Sequence, residues 1–593
     1  MRRFNTLIIG TGCAGYNAAD RLWSLGVRDI AIVTEGRFMG TSRNTGSDKQ
    51  TYYKLSLCGS DGDSVREMAD TLYSGGGVMG EHALCEAAYS VRCFMNLVEK
   101  GVPFPTNEYG EYAGYKTDHD PRSRATSSGP LTSKYMTEAL ERSVLDKGIE
   151  IIDFSRVIKI LTDKNRVTGV AAVSTVTGEL TLFACENVIL ATGGPAGIYK
   201  NTVYPESQHG ATGLAVDAGA ELSNMEEWQY GIASVKFRWN LSGTYQQVLP
   251  RYISVDKDGN EREFLYEKFG AESLGLIFLK GYQWPFDTRK TEGSSKVDLL
   301  TAEEIKKGNR VYLDFLHNPK GLENGFDVLP EEAYSYLLRS GALFGTPIER
   351  LAKMNMGAIE LYETHGIDLY TELLEIAVCA QHCNGGVSVD LNWQSSVEGL
   401  YVAGEAAGTF GVYRPGGSAL NSTQVGSLRA AEHIAAKSRE ERPEPEFTLP
   451  EIKTGKSNTK EMLDGLQTEM SRVADFDRRT DGMKALFTKV SDIYNDFFNI
   501  ATVGDVSETA ELFKLYDTVI TQRATLSSMI KSAEEIGTHG AALVDRLPDR
   551  HAGEIRKTRT LTKGAESYLA DVSPMPDPEL WFETLLARQR SMQ

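Results

Sequence analysis

Residues 5–35 constrain the fold more than any other stretch of the chain. The apolar run Leu7-Ile8-Ile9 leads into Gly10-Thr11-Gly12-Cys13-Ala14-Gly15, and a second apolar run closes on Glu35, twenty positions after Gly15. This reads as a strand, a glycine turn, a helix and a second strand ending in an acid. Gly10 lets the chain turn tightly off the strand. Gly12 lets the backbone approach a pyrophosphate, and Gly15 lets the helix pack on the sheet. The free N–H groups and dipole of the helix N-terminus suit phosphate. Glu35 is placed to accept from a ribose hydroxyl, so the unit reads as a dinucleotide site.

The rest of the composition narrows the class. A chain of 593 residues has room for roughly two to four domains and a large core. The formal charge of −18 argues against nucleic acid and anionic membrane surfaces as partners. No apolar run reaches the roughly 18 residues of a membrane span. Met1-Arg2-Arg3 leads straight into the first strand and leaves no room for a signal peptide's apolar region, so a cytoplasmic protein is expected. Cys13, Cys58, Cys85, Cys93, Cys185, Cys379 and Cys383 are scattered, with no CxxC or cluster-binding run; reduced thiols and no metal site are expected. Cys379 and Cys383 could face each other on a helix or simply be buried thiols.

Strands and helices alternate up to about Tyr230. Between Arg156 and Glu186, short apolar segments read as a small sheet of hairpins inserted in this α/β pattern. Asn187-Val188-Ile189-Leu190-Ala191-Thr192-Gly193-Gly194 is a buried strand ending in glycines. An aromatic-rich, less regular insert follows, and the α/β pattern returns at Gly385-Gly386-Val387 and at Gly399-Leu400-Tyr401-Val402-Ala403-Gly404-Glu405. Glu440-Glu441-Arg442-Pro443-Glu444-Pro445 reads as a charged linker. Helical periodicity dominates from there to about Arg546.

The three glycine-punctuated strands GTGCAG, VILATGG and GLYVAGEAAG together resemble the succinate dehydrogenase and fumarate reductase flavoprotein family, with L-aspartate oxidase and the adenylylsulfate reductase flavoprotein as relatives. His209 to Glu226, Val311-Tyr312-Leu313-Asp314 and residues 529–585 extend the resemblance over most of the chain. It implies an α/β fold: a Rossmann-like FAD-binding domain (residues 1–230 and 357–439), an inserted α+β capping domain (231–356) and a C-terminal helical domain (440–593). It implies FAD contacts at Gly10, Gly12, Cys13, Ala14, Gly15, Glu35, Gly36, Thr45, Gly46, Ser47, Asp48, Val157, Ala191, Thr192, Gly193, Gly404, Glu405, Gly417, Ser418, Ala419 and Leu420. In the family, backbone N–H groups of the helix opened by Gly416-Gly417-Ser418-Ala419-Leu420 approach the flavin ring, where the helix dipole stabilises negative charge.

The same resemblance makes Arg414 a substrate-carboxylate anchor, a role guanidinium suits by bidentate pairing. It makes His382 a substrate hydrogen-bonding residue. Departures accompany these matches. Gly231 stands where the family has a substrate histidine, and no RGEGG segment exists; Arg251 is the nearest arginine and a candidate acid/base or anion clamp. Arg238 is a second anion candidate. Asn44 replaces the histidine of the SHT motif, so FAD is expected to be noncovalent. Lys49 either places positive charge by the flavin or faces solvent. Trp228, Tyr230, Phe237, Trp239, Tyr245 and Tyr252 form either a substrate pocket or the core of the cap.

The expectation is an FAD-dependent oxidoreductase moving a hydride between flavin N5 and a small polar or carboxylate-bearing molecule, by enoate-type reduction or the reverse dehydrogenation, and not plain succinate or fumarate. Arg251 or a cap tyrosine would exchange the proton. The alternative is an adenylylsulfate-reductase-like flavoprotein subunit with a separate iron–sulfur partner. A homo-oligomer is compatible with the sequence.

Overall fold

The computed structural model describes residues 1–59, 62–323, 325–437 and 443–591. Part of the expected linker at 440–445 therefore lies outside the described residues.

The main sheet has seven strands. In spatial order these are Glu150–Ile152, Ile30–Val33, Arg2–Ile9, Leu180–Leu190, Arg166–Ser174 and Ser155–Asp163, with Leu400–Val402 also paired to Leu180–Leu190. The strands at 2–9, 30–33, 150–152, 180–190 and 400–402 run parallel. The inner ones, buried on both faces, need continuous apolar runs such as Leu7-Ile8-Ile9 and Ile30-Ala31-Ile32-Val33.

The hairpins expected as a small inserted sheet are part of this one. Leu180–Leu190 is long enough to serve two partners. Its first half pairs antiparallel with Arg166–Ser174, while most of its length pairs parallel with Arg2–Ile9. The sequence pattern could mark each strand but not which neighbour it would share.

A second sheet, of six strands, runs Trp239–Asn240, Trp228–Ser234, Leu374–Cys383, Arg310–Asp314, Arg251–Val255 and Glu261–Arg262. The boundary expected between 230 and 231 falls inside the strand Trp228–Ser234, and Leu374–Cys383 lies between strands of the insert. Cys379 and Cys383 are buried on this strand, so no helix brings them together. Gln229 pairs with His382 and Tyr230 with Ala380, leaving Gln381 as an extra residue in the strand. Such a bulge re-aims side chains locally.

Helices Thr459–Val473, Thr480–Asn495 and Thr509–Glu535 pack on one another. The chain then leaves the helical pattern. Strands Thr558–Lys563 and Glu566–Asp571 form a hairpin whose first strand pairs with Glu221–Ser223, which pairs in turn with Gly386–Val387. Among the described residues no helix is long and apolar enough to cross a membrane.

Candidate active site

The parallel strands of the main sheet end on one side in Gly10, Thr34-Glu35, Ala191-Thr192-Gly193 and Ala403-Gly404-Glu405. All of these line a cavity of about 740 Å³. In open α/β sheets this carboxyl edge is where ligands bind.

Two glycines show why the first turn is glycine-rich. Gly10 has φ +107°, and a Cβ on Gly15 would lie 2.0 Å from the Gly10 carbonyl oxygen. Only hydrogen at position 15 lets the helix Cys13–Ser24 sit this close to the strand before it. A second helix, Ser418–Ala436, begins at the cavity wall, where Gly416, Gly417, Ala419, Leu420 and Thr423 contribute to the lining. Gly417 takes the left-handed conformation at φ +91°. Two helix N-termini thus open on one cavity, a donor set that fits a pyrophosphate at one and a ring able to carry negative charge at the other.

Of the expected cofactor residues, Gly10, Gly12, Cys13, Ala14, Glu35, Gly36, Thr45, Gly46, Ser47, Asp48, Val157, Ala191, Thr192, Gly193, Gly404, Glu405, Gly417, Ala419 and Leu420 line the cavity. Gly15 acts from behind, as above. Ser418 is not in the lining: its N–H and hydroxyl both bond the Pro415 carbonyl. The Leu420 N–H is likewise bonded to Gly417. Of the three N–H groups expected to reach a ring, that of Ala419 alone makes no such local bond.

Glu35 lines the cavity while its carboxylate takes a 2.6 Å hydrogen bond from Arg156. Asp48 is buried and accepts from Thr244 and Asn355, tying this cavity-lining loop to the expected insert. Asn355 sits at a non-helical φ/ψ inside the helix Pro347–Thr364. Lys49 lines the cavity with its side chain exposed and its ammonium 5.9 Å from the Tyr115 ring centre. Asn44 is absent from the lining; its amide donates to the carbonyls of Phe38 and Gly40 and so braces its own loop.

Arg414 and His382 come together, joined by Asn384. Arg414 Nε donates to Asn384 Oδ1 (3.3 Å) and its Nη2 to Gln229 Oε1 (2.7 Å). His382 Nδ1 lies 3.0 Å from the same Asn384 oxygen. Phe410 packs against both, 5.5 Å from the guanidinium and 5.4 Å from the imidazole. Arg414 is only 9% exposed, and among the described residues no carboxylate lies within ion-pair distance of it. Burial pulls its pKa down to about 10, opposed by the charge of Glu405. A buried cation held only by neutral amides lacks an anion. Burial, and then the Arg414 charge, hold His382 well below the usual imidazole range, so its ring is neutral. The Glu405 carboxyl accepts from the Tyr204 hydroxyl and the Cys383 N–H (3.0 Å), and burial pushes its pKa up to about 7.

Arg251 does not join this group. It is not in the cavity lining, and its guanidinium is taken by Glu263 (2.9 Å), Asp314 (3.0 Å) and Glu261 (3.4 Å). Spacing along the chain suggested it; pairing within the second sheet uses it. Arg238 donates to the Tyr204 carbonyl and is not in the lining either. Trp228, Tyr230, Trp239, Tyr245 and Tyr252 are buried in the core, and Phe237 packs against it, stacked on Trp239. The aromatic wall of the cavity comes from elsewhere: Tyr115, Tyr282, Trp284, Tyr336, Phe513 and Tyr516.

Sequence reading also missed Gln229, Gln381, Asn384, His119 and Asp517. Gln381 lines the cavity beside His382 because the bulge turns neighbours to one side. His119, at φ +61°, lines the cavity with an exposed side chain. Asp517 reaches the cavity from the helix Thr509–Glu535.

Comparison with known proteins identifies the family. The pattern of the family described as FAD binding domain matches residues 5–420. A fumarate reductase (CoM/CoB) subunit of Methanothermobacter marburgensis is 25% identical over 563 residues, covering 90% of this chain and 93% of that protein. L-aspartate oxidase of Agrobacterium fabrum is 26% identical over 443 residues, covering 73% of this chain and 74% of that one. The solved structure of Mycobacterium smegmatis Sdh1 in complex with UQ1 superposes with a TM-score of 0.72 at 18% identity, covering 100% of this chain and 98% of that one; this likeness concerns the fold.

Proposed function

The chain belongs to the FAD binding domain family and is an FAD-dependent oxidoreductase, and from that premise we propose that it acts on a small carboxylate-bearing molecule anchored by Arg414. The observation that carries this reading is the buried Arg414 guanidinium, which lines the cavity and is held by Asn384 and Gln229 without a carboxylate partner. A carboxylate arriving there would supply the missing charge through charge-assisted hydrogen bonds.

Bound FAD would supply hydride exchange at a carbon of that molecule, by enoate-type reduction or the reverse dehydrogenation. The protein's part is position and electrostatics. Gly10, Gly12 and the first helix would hold the pyrophosphate, Glu35 the ribose, and the Ser418–Ala436 helix end the electron-rich ring. Asn44 is not in the cavity lining and its amide is taken by its own loop, which supports noncovalent flavin. Among the described residues no group of three or more His, Cys, Asp or Glu could hold a metal, so an iron–sulfur electron carrier working with this chain would be a separate subunit.

The test is anaerobic stopped-flow absorbance of the photoreduced, FAD-loaded protein against electron-poor alkenoates, 2-keto acids and imino acids, with succinate-type acids offered to the oxidised protein. Fast flavin oxidation or reduction by a carboxylate, abolished in Arg414→Ala, supports the reading. Turnover of a neutral molecule that Arg414→Ala leaves unchanged overturns it.

A further inference from the structure

The orientation of one amide decides what the substrate must offer to His382. Asn384 Nδ2 donates to the Gly411 carbonyl (2.8 Å) and approaches that of Val412 (3.5 Å), oxygens that can only accept. Its Oδ1 therefore points the other way, where it accepts from Arg414 Nε. That same oxygen lies 3.0 Å from His382 Nδ1. Two acceptors cannot share this contact, so Nδ1 carries the ring proton and Nε2 carries a lone pair. Backbone carbonyls thus set the tautomer through a single side chain.

Nε2 has no hydrogen-bond partner among the described residues, and its nearest carboxylate oxygen, Glu405 Oε1, is 3.9 Å away. His382 is 6% exposed and lines the cavity beside Gln381. Protonation at Nε2 would place an imidazolium beside the Arg414 guanidinium, in a buried site where like charges repel.

We infer that the substrate of this site carries, besides the carboxylate that meets Arg414, a hydrogen-bond donor that meets the Nε2 lone pair of His382: a hydroxyl or an amino group. The inference rests on the proposed anion role of Arg414 and narrows the substrate class to hydroxy- or amino-carboxylates. A molecule presenting a second ionised carboxylate to His382 would set acceptor against acceptor and leave both unsatisfied, which a site of this kind rejects. Glu405 stands close enough to Nε2 to favour an amino group, and the paired ligands below separate the two donors.

The experiment measures binding to the oxidised, FAD-loaded protein by calorimetry and by perturbation of the flavin spectrum. The probes are succinate, fumarate, 2-hydroxysuccinate and 2-aminosuccinate, each from pH 6 to pH 9. The expected result is binding at least about tenfold tighter for a hydroxy or amino compound than for succinate at pH 8, with succinate binding improving as pH falls because it must bring a proton. In Asn384→Leu, which frees the tautomer, the preference shrinks towards unity. Equal, pH-independent binding of all four overturns the inference. So does ¹⁵N NMR of histidine-labelled protein showing Nε2 protonated in the wild type, a measurement that needs no variant. If no carboxylate binds at all, the Arg414 reading fails, while the ¹⁵N result still decides the tautomer.

Discussion

The indole of Trp284 occupies the space that any side chain at position 231 would need. A Cβ on Gly231 would lie 2.5 Å from the indole Cζ2. The ring is pinned there by its Nε1, which donates to the Ile232 carbonyl at 2.9 Å, while the Phe286 N–H bonds the Tyr230 carbonyl at 2.8 Å. Lys280, fully buried against Asp298, holds the loop from below by donating to the carbonyls of Gln283 and Trp284. The glycine at 231 and the tryptophan at 284 are therefore one feature.

Gly231→Ala should force the indole to move and lower stability by about 1–3 kcal/mol, the usual cost of overpacking. Adding Trp284→Ala should recover part of the overpacking loss, so the two changes will not be additive. Thermal melts of the two single variants and the double variant, all with bound flavin, check this. Strict additivity would show that the two positions do not share space.

Arg414→Met should separate stability from binding. Removing a buried cation that has no carboxylate partner relieves its desolvation, so the melting temperature should hold or rise. Carboxylate affinity should fall by roughly 2–5 kcal/mol, at least about 30-fold. A variant that melts early and binds normally would assign Arg414 a structural role.

Arg251→Ala should do the reverse. It leaves the buried Glu263 and Asp314 carboxylates short of a partner, although His317 Nδ1 remains 2.9 Å from Asp314. A loss of about 1–3 kcal/mol in stability is expected, with flavin and carboxylate affinity within about twofold of wild type. A large loss of affinity without a stability change would restore Arg251 as a substrate residue.

Asp517 predicts a pH dependence. Burial raises its pKa to about 7, opposed by Arg156, and its Oδ1 has no hydrogen-bond partner among the described residues. A folded-state pKa above the unfolded one means the folded protein holds this proton more tightly. The contribution is fully present below the unfolded pKa and is lost as pH rises through about 7. In the flavin-free protein, Asp517→Asn should therefore gain stability over wild type between pH 5 and pH 8, with a ceiling of about 3 kcal/mol. Melting curves at both pH values test the sign; an advantage that shrinks with rising pH contradicts the assignment.

What the sequence made legible follows from range. The turn at Gly10–Gly15, the acid at Glu35 and the glycine-led start of the Ser418–Ala436 helix are local patterns whose chemistry is carried by neighbours in the chain. Arg414 and His382 came from motif resemblance, and the structure joins them through Asn384, a residue inside the same motif that carried no signal of its own. Arg251 failed because spacing along the chain says nothing about which carboxylates lie across a sheet. Trp284 and Asp517 reach the cavity from distant segments, and no local pattern marks them. The bulge at Gln381 depends on register with Trp228–Ser234, which periodicity cannot supply.

The wall of the cavity has one more consequence. Phe513, Tyr516, Asp517 and Ile520 belong to that wall, and the strand Glu221–Ser223 waits for Thr558–Lys563 to complete its pairing. During synthesis the glycine turn leaves the ribosome first, hundreds of residues before the surfaces that close around it. Until residues 509–520 are out the cavity lacks this part of its wall, so a nascent chain cut short before residue 509 should hold the cofactor more weakly than the whole chain.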